Sequence, residues 1–183
     1  MTLDRVHRDV QPSRDLLVGQ ALAKEARLHD YKRPAILAFA RANALDRIVT
    51  SGGPAAKIGI ITTGKSYLDV RAAMDELGID EVAANRLGLR VYKVGMPWPL
   101  EPEGLLKFAH GLDLILVVEE KRALIETQVK EQLYDLPDRP RVLGKKDENE
   151  QWLFHAKYAL DPTDIAIQLG ERLIRRGAGD DIK

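Results

Sequence analysis

Gly59 to Ser66 read GIITTGKS, which fits the phosphate-binding pattern G-x-x-x-x-G-K-[ST] at every position. In that pattern the backbone amides cradle a nucleotide's phosphates, the lysine reaches the outer phosphates and the hydroxyl holds magnesium. Downstream, LILVVEE (Leu114 to Glu120) has the form of an apolar strand ending in the carboxylate that would complete the metal site. Register decides whether this chemistry is available. A phosphate loop needs its strand before the first glycine and flexible backbone between the glycines. Here GGPAAKI precedes Gly59, a turn and a single isoleucine. The positions that should be loop hold Ile60 and Ile61, β-branched residues that belong to a strand. Only Thr62, Thr63 and Gly64 are left for the turn, too little backbone to wrap a triphosphate. The sequence therefore reads against a nucleotide hydrolase.

A weaker chemistry survives at the same place. Thr63, Gly64, Lys65 and Ser66 fall where a strand's carboxyl end meets a helix start, and backbone amides there attract anions. The plainer alternative has Ser66 capping the helix, Asp69 reaching back to it as in a capping box, and Lys65 pointing into water. Glu119 and Glu120 do not make an acid–base pair, because consecutive strand residues point to opposite faces. They are expected to cap or pair near the following helix, with an interface as the other role. His7, His29, His110 and His155 lack metal-ligand spacing. The chain has no cysteine, which excludes disulfides, thiolate-held iron–sulfur clusters, cysteine zinc sites and cysteine nucleophiles within it. No G-D-G motif followed by an asparagine pair is present, so no self-contained thiamine diphosphate site is visible. Catalytic, cofactor-binding and metal residues are accordingly expected to be absent.

The elements that must position these residues alternate between strand and helix. Leu28, Tyr31, Ala35, Ala38, Ala42 and Leu45 form a helical stripe with Pro34 inside it. A kinked helix from about Gln20 to Asn43 is expected, or two helices meeting near Arg33. RIV and KIGIITT are strands around the turn SGGPAA. The next helix buries Tyr67, Val70, Met74 and Leu77 and stops at Gly78. A short helix follows Asp80, then the strand LRVYKVG and the break MPWPLEP. Pro102 opens a helix carrying Leu105, Leu106 and Ala109. DLILVVEE is a strand buried on both faces, and the helix after it turns Ile125 and Val129 inward with a Glu126–Lys130 pair outside. PRVLGK is a last short strand. Asp161 and Pro162 open the closing helix, where Arg172, Arg175 and Arg176 face the carbonyl end. Such alternation predicts a mostly parallel sheet between helical layers.

Composition is that of an ordinary globular domain, with 45% hydrophobic and 31% charged residues among 183. The formal net charge of +0 gives no long-range pull on nucleic acid or an anionic membrane. No signal peptide or membrane span is read in the sequence, so the expected compartment is the cytoplasm. Residues 1–19 are expected to be an extended segment, 20–176 the domain and 177–183 a linker stub, ends that read as those of a fragment.

The stretches KIGIITTGKSYLDVRAAMDELGI and GMPWPLEPEGL, with LILVVEE beyond them, resemble the transketolase-C-like domain of the indolepyruvate ferredoxin oxidoreductases. The resemblance runs from about Leu22 to Leu173 and is most specific from Lys57 to Tyr134. It implies a three-layer α/β/α sandwich whose sheet of about five strands is mainly parallel, with one strand reversed. It implies a larger parent that oxidatively decarboxylates aryl 2-oxo acids with thiamine diphosphate, magnesium, iron–sulfur clusters and coenzyme A, and passes electrons to ferredoxin. None of that equipment maps onto this chain, so its implied role is accessory. Its implied partners are the parent's other domains in a homodimeric parent, with ferredoxin engaged elsewhere. MPWPLEP is the expected interface edge, with Met96 and Trp98 as apolar anchors, although Trp98 folded onto its own core is an equal alternative. A free-standing anion- or phosphate-binding domain and a pure assembly module remain the rival classes.

Overall fold

A computed structural model describes residues 14–156 and 159–178. The chain divides between Phe39 and Ala40 into two compact units.

The first unit is helical. Helix α1 (Arg14–Arg27) runs through a π-helical turn (Leu28–Lys32) into helix α2 (Arg33–Ala42), which carries the boundary. The Arg33 N–H donates to the Leu28 carbonyl, one residue further back than in an α-helix. This wide turn lies immediately ahead of Pro34, whose ring an unbroken α-helix would press against the Asp30 carbonyl. The expected two helices meeting at Arg33 are thus present. The extended segment expected over residues 1–19 is corrected from Arg14 onward, where helix has already begun; residues 1–13 lie outside the described residues. Within this unit no side chain from Val18 to Phe39 is buried, so the apolar stripe does not reach a core of the unit's own.

The second unit holds the sheet. Its strands are β1 (Arg47–Thr50), β2 (Ile58–Thr63), β3 (Leu89–Val94), β4 (Leu114–Val118) and β5 (Arg141–Leu143), in the order β1-β3-β2-β4-β5. β2 lies centrally and pairs parallel with β3 and β4, β4 pairs parallel with β5, and β1 runs antiparallel to β3. Five strands with one reversed, between helical layers, is the architecture the sequence implies.

Alternation along β2 and β4 builds both cores. Ile58, Ile60, Leu116 and Val118 face α3 (Gly64–Glu76), α4 (Glu81–Leu87) and α7 (Pro162–Ile174). Ile61, Ile115 and Val117 face α5 (Pro102–Ala109) and α6 (Leu124–Leu133) on the other side. Continuous apolar runs buried on both faces are what a parallel sheet between helices requires. Gly78, at φ 69°, ends α3 in a Schellman arrangement: Ile79 N–H donates to the Met74 carbonyl at 2.8 Å and Gly78 N–H to Asp75 at 3.0 Å.

Three facing assignments change, the first at Tyr67, which is only half-buried on α3. Phe108, not Leu106, fills the core from α5 beside Leu105 and Ala109, and Leu106 is exposed. Glu126 is buried although its pair with Lys130 forms at 2.6 Å.

Gly59 is inside β2, and its lack of a side chain serves packing. A Cβ there would lie 2.5 Å from Leu112 Cδ1 and 2.6 Å from Phe108 Cζ. Both neighbours are buried and have no room to yield. Gly59→Ala is expected to cost about 1–3 kcal/mol in urea unfolding, as overpacking does. A loss below about 0.5 kcal/mol would show that α5 adapts freely.

Candidate functional site

The parallel strands end together: Thr63 pairs with Val94 and Thr62 with Val118. In open α/β sheets this carboxyl edge is where ligands bind. The sequence places Thr63–Ser66, Met96, Trp98, Glu119 and Glu120 along it, and the structure brings Lys65 and Glu120 together there. What each group does is set by the neighbours the fold gives it.

Thr63 immediately precedes α3 but does not cap it. Its hydroxyl donates to the Val94 carbonyl at 2.9 Å, and no side chain caps this helix. Ser66, the expected cap, is a buried residue of the first turn. The expected capping box with Asp69 is therefore absent. Asp69 instead takes the Lys65 ammonium on both carboxylate oxygens at 2.8 Å. Glu120 approaches the same ammonium at 3.7 Å. The hydrogen bond that Lys65 donates to Asp69 holds the lysine's pKa above its ordinary value, with Glu120 adding to the pull. The expected seat for an anion thus has its lysine matched by two carboxylates of the chain itself, which repel an incoming anion. Lys65 is exposed, as the plainer alternative has it, but it is paired rather than free.

Glu119 and Glu120 follow the end of β4 and diverge: Glu120 turns toward Lys65 of α3 and Glu119 toward α6. The Glu119 carboxylate accepts the N–H groups of Leu124, Ile125 and Glu126 at 3.1, 2.8 and 3.0 Å. It closes the first turn of α6, as expected of a cap. Its burial removes it from the expected interface set.

Lys145, which the sequence reading missed, completes the cluster. It is buried, its Nζ donates to the Glu119 main-chain carbonyl, and its N–H donates to Glu126 Oε2 at 2.8 Å. Burial pushes the Lys145 pKa down, against the pull of Glu119, Glu126 and Glu120. Burial pushes the Glu119 carboxyl up, against the three N–H donors and Lys145. Gly144 allows this approach, since a Cβ there would meet Glu126 Oε2 at 2.2 Å. A glycine followed by lysine after a strand was the signal in the sequence, but the partner, Glu126, is 19 residues away. The other missed group is Glu101. It caps α5 through the N–H groups of Glu103 and Gly104 at 3.1 and 2.6 Å and receives Arg41 at 2.9 Å.

The loop carrying Trp98 is pinned on both sides. Asp46 accepts the N–H groups of Gly95 and Met96 at 2.8 and 3.0 Å. Gln128 of α6 accepts from Leu100 N–H and donates to the Pro97 carbonyl, each at 2.8 Å. Trp98 itself is 57% exposed, which excludes the core alternative, and Met96 is half-buried beside it. Leu124, whose carbonyl also accepts from Gln128, is 47% exposed. A held loop thus presents an exposed indole, and the Gln128 that holds it also bonds the carbonyl of the exposed Leu124.

Chemically, the edge is closed upon itself. Lys65, Asp69, Glu119 and Glu126 are occupied by one another or by the backbone, and Lys145 gives one of its three donors to the Glu119 carbonyl. Among the described residues no three His, Asp or Glu side chains come together as a metal site needs. The residues along this edge do not fit a diphosphate–magnesium group or an iron–sulfur cluster, and no catalytic step is derived through either.

Comparison with known proteins gives one family. Residues 48–183 match the model of the indolepyruvate oxidoreductase domain. Over 91 residues the chain is 42% identical to indolepyruvate oxidoreductase subunit IorA of Thermococcus kodakarensis, a match covering 49% of this chain and 13% of that subunit. The same subunit of Pyrococcus horikoshii is 44% identical over 91 residues, with the same shares covered. Among solved structures, a 2-oxoglutarate:ferredoxin oxidoreductase from Magnetococcus marinus shares the fold at a TM-score of 0.54 and 17% identity, over 90% of this chain and 24% of that one. The matched stretch is thus a small part of the relatives' length.

Proposed function

The chain belongs to the indolepyruvate oxidoreductase domain family, and we propose that it is an accessory domain of a cytoplasmic, homodimeric indolepyruvate ferredoxin oxidoreductase. That parent oxidatively decarboxylates aryl 2-oxo acids to acyl-coenzyme A and reduces ferredoxin. Thiamine diphosphate, magnesium and iron–sulfur clusters are held by its other domains, and this one braces them. One observation carries the accessory role: the carboxyl edge of the sheet, where such folds do chemistry, is filled by the Lys65–Asp69–Glu120 and Glu119–Lys145–Glu126 groups. The exposed Trp98 and half-buried Met96, with the exposed Leu124 of α6 and Glu120, are the surface we assign to contact with sister domains. Their rigid mounting lowers the ordering cost of such a contact.

The test uses the full-length parent. Trp98→Ala is expected to weaken domain packing or dimerisation by about 2 kcal/mol or more, as loss of a central aromatic anchor does, and to reduce turnover. In the 183-residue chain the same change is expected to move the melting point little, because the indole is mostly in water. Unchanged turnover and association in the parent would remove Trp98 from the interface. The 183-residue chain alone, supplied with thiamine diphosphate, coenzyme A and indolepyruvate, is expected not to reduce a dye acceptor. Reduction there would overturn the accessory role.

A further inference from the structure

The sheet's carboxyl edge is neutralised from within, but the flank beyond α6 is not. Between α6, the edge strand β5 and the loop that follows it lies an open cleft of about 570 Å³. Lys121, Arg122 and Arg141 line it. Among the described residues none of these three side chains has a carboxylate partner or an acceptor. The acidic groups around the cleft are each held by a cation or an amide. Glu126 is held by Lys130 and the Lys145 N–H, and Glu150 by Lys146. Glu148 is held by Arg172 and Arg175, while Asp147 accepts the N–H groups of Asn149 and Gln151 within its own turn. Six basic side chains thus face four acidic ones in the lining, and the excess positive charge sits on Lys121, Arg122 and Arg141.

A second observation concerns the cleft's buried lysine. Lys145 is only 9% exposed, and its ammonium makes a single hydrogen bond among the described residues, to the Glu119 carbonyl. An ammonium has three donors, and although Glu119 and Glu126 offset its charge, two of the donors make no hydrogen bond among the described residues. Buried donors without acceptors are costly, and an anion in the cleft supplies the acceptors. At the lip, Trp152 is 54% exposed, with His155 stacked behind it at 6.0 Å between ring centroids.

We propose that this cleft is a binding site for a small polyanion of the phosphate class, held by Arg122 and Arg141 with Lys121 and Lys145. Guanidinium groups present paired donors that suit phosphate oxygens, and two of them with two ammonium groups suit a diphosphate better than a single phosphate. The diphosphate is either inorganic or part of a larger molecule, and in the second case Trp152 is placed to receive a planar ring.

Calorimetric titration of the full chain with inorganic pyrophosphate at low ionic strength tests this. Binding is expected with Kd below about 1 mM, tighter than orthophosphate and weakening as salt rises. Arg122→Ala combined with Arg141→Ala is expected to weaken it by about tenfold or more, and both side chains are exposed, so the fold is retained. Lys65→Ala, at the α3 start, is expected to leave Kd within about twofold. Titration with ADP, followed by Trp152 fluorescence in a Trp98→Phe chain, separates the two sources. Tighter binding than pyrophosphate with quenching identifies a ring-bearing ligand, and equal binding without quenching identifies the bare diphosphate. Absence of pyrophosphate binding at about 5 mM overturns the site, as does binding that the arginine pair leaves unchanged or that Lys65→Ala abolishes.

Discussion

Ile61→Asp is expected to leave the second unit unfolded at room temperature, while Lys65→Ala, four residues along, is expected to cost no more than about 1 kcal/mol. Ile61 is fully buried in β2, the strand between β3 and β4, and faces α5 and α6. An aspartate there has no cation beside it and meets only apolar neighbours, Tyr92, Val117 and Ile125 among the same cluster. An unpaired buried carboxylate costs several kcal/mol even after its pKa shifts to keep it neutral, on top of the lost burial of the isoleucine. That is most or all of the roughly 5–15 kcal/mol that holds a domain together. Lys65 loses its ion pairs with Asp69 and Glu120, both made by an ammonium on a half-exposed side chain within reach of water. Circular dichroism and urea titration of the two variants distinguish the outcomes. Comparable stability of both would mean that the stretch from Gly59 is a loop after all, and would restore the phosphate-binding reading of GIITTGKS.

That contrast shows what the sequence made legible. Ile60 and Ile61 between the pattern's two glycines declared the strand, because two β-branched apolar residues do not stay in a solvated loop. The same periodic signals located β4 and α7, with Asp161 capping the Thr163 N–H at 2.8 Å as its position ahead of Pro162 suggests. Other features were hidden because they depend on distant partners. Ser66 has the right type for a cap, but Gly64, at φ 54°, starts the helix two residues earlier and carries Ser66 into the interior. Glu126 has the i,i+4 lysine of a surface pair, yet the approach of Gly144 and Lys145 from β5 buries it. Local spacing fixes which face a residue takes on its own element; it does not say what another element brings to that face.

Glu119→Ala is expected to be the second most damaging change, costing about 2–4 kcal/mol in urea unfolding, from the loss of a cap that closes several amides at once. One carboxylate accepts three successive N–H groups of α6, and those of Ile125 and Glu126 lie in the buried interior. Alanine leaves these donors without an acceptor. The Leu124 amide, beside an exposed side chain, recovers water, which keeps the cost below that of three fully orphaned donors. The damage propagates through Lys145, whose ammonium faces Glu119 and Glu126 together and would be left in a buried place with one carboxylate fewer. Glu119→Gln retains one acceptor oxygen and the side-chain volume, so its cost is expected to fall between alanine and the parent sequence. Glu120→Ala is the control. That side chain is partly exposed and meets Lys65 only at 3.7 Å, so its removal is expected to change stability by less than about 0.5 kcal/mol. The two adjacent glutamates would then differ several-fold in effect, although the sequence alone gives them equal standing. Equal effects, or a Glu119→Ala chain within about 0.5 kcal/mol of the parent sequence, would show that α6 holds its first turn without the carboxylate. The interior closure of the sheet's carboxyl edge, on which the accessory role rests, would then lose its main strut.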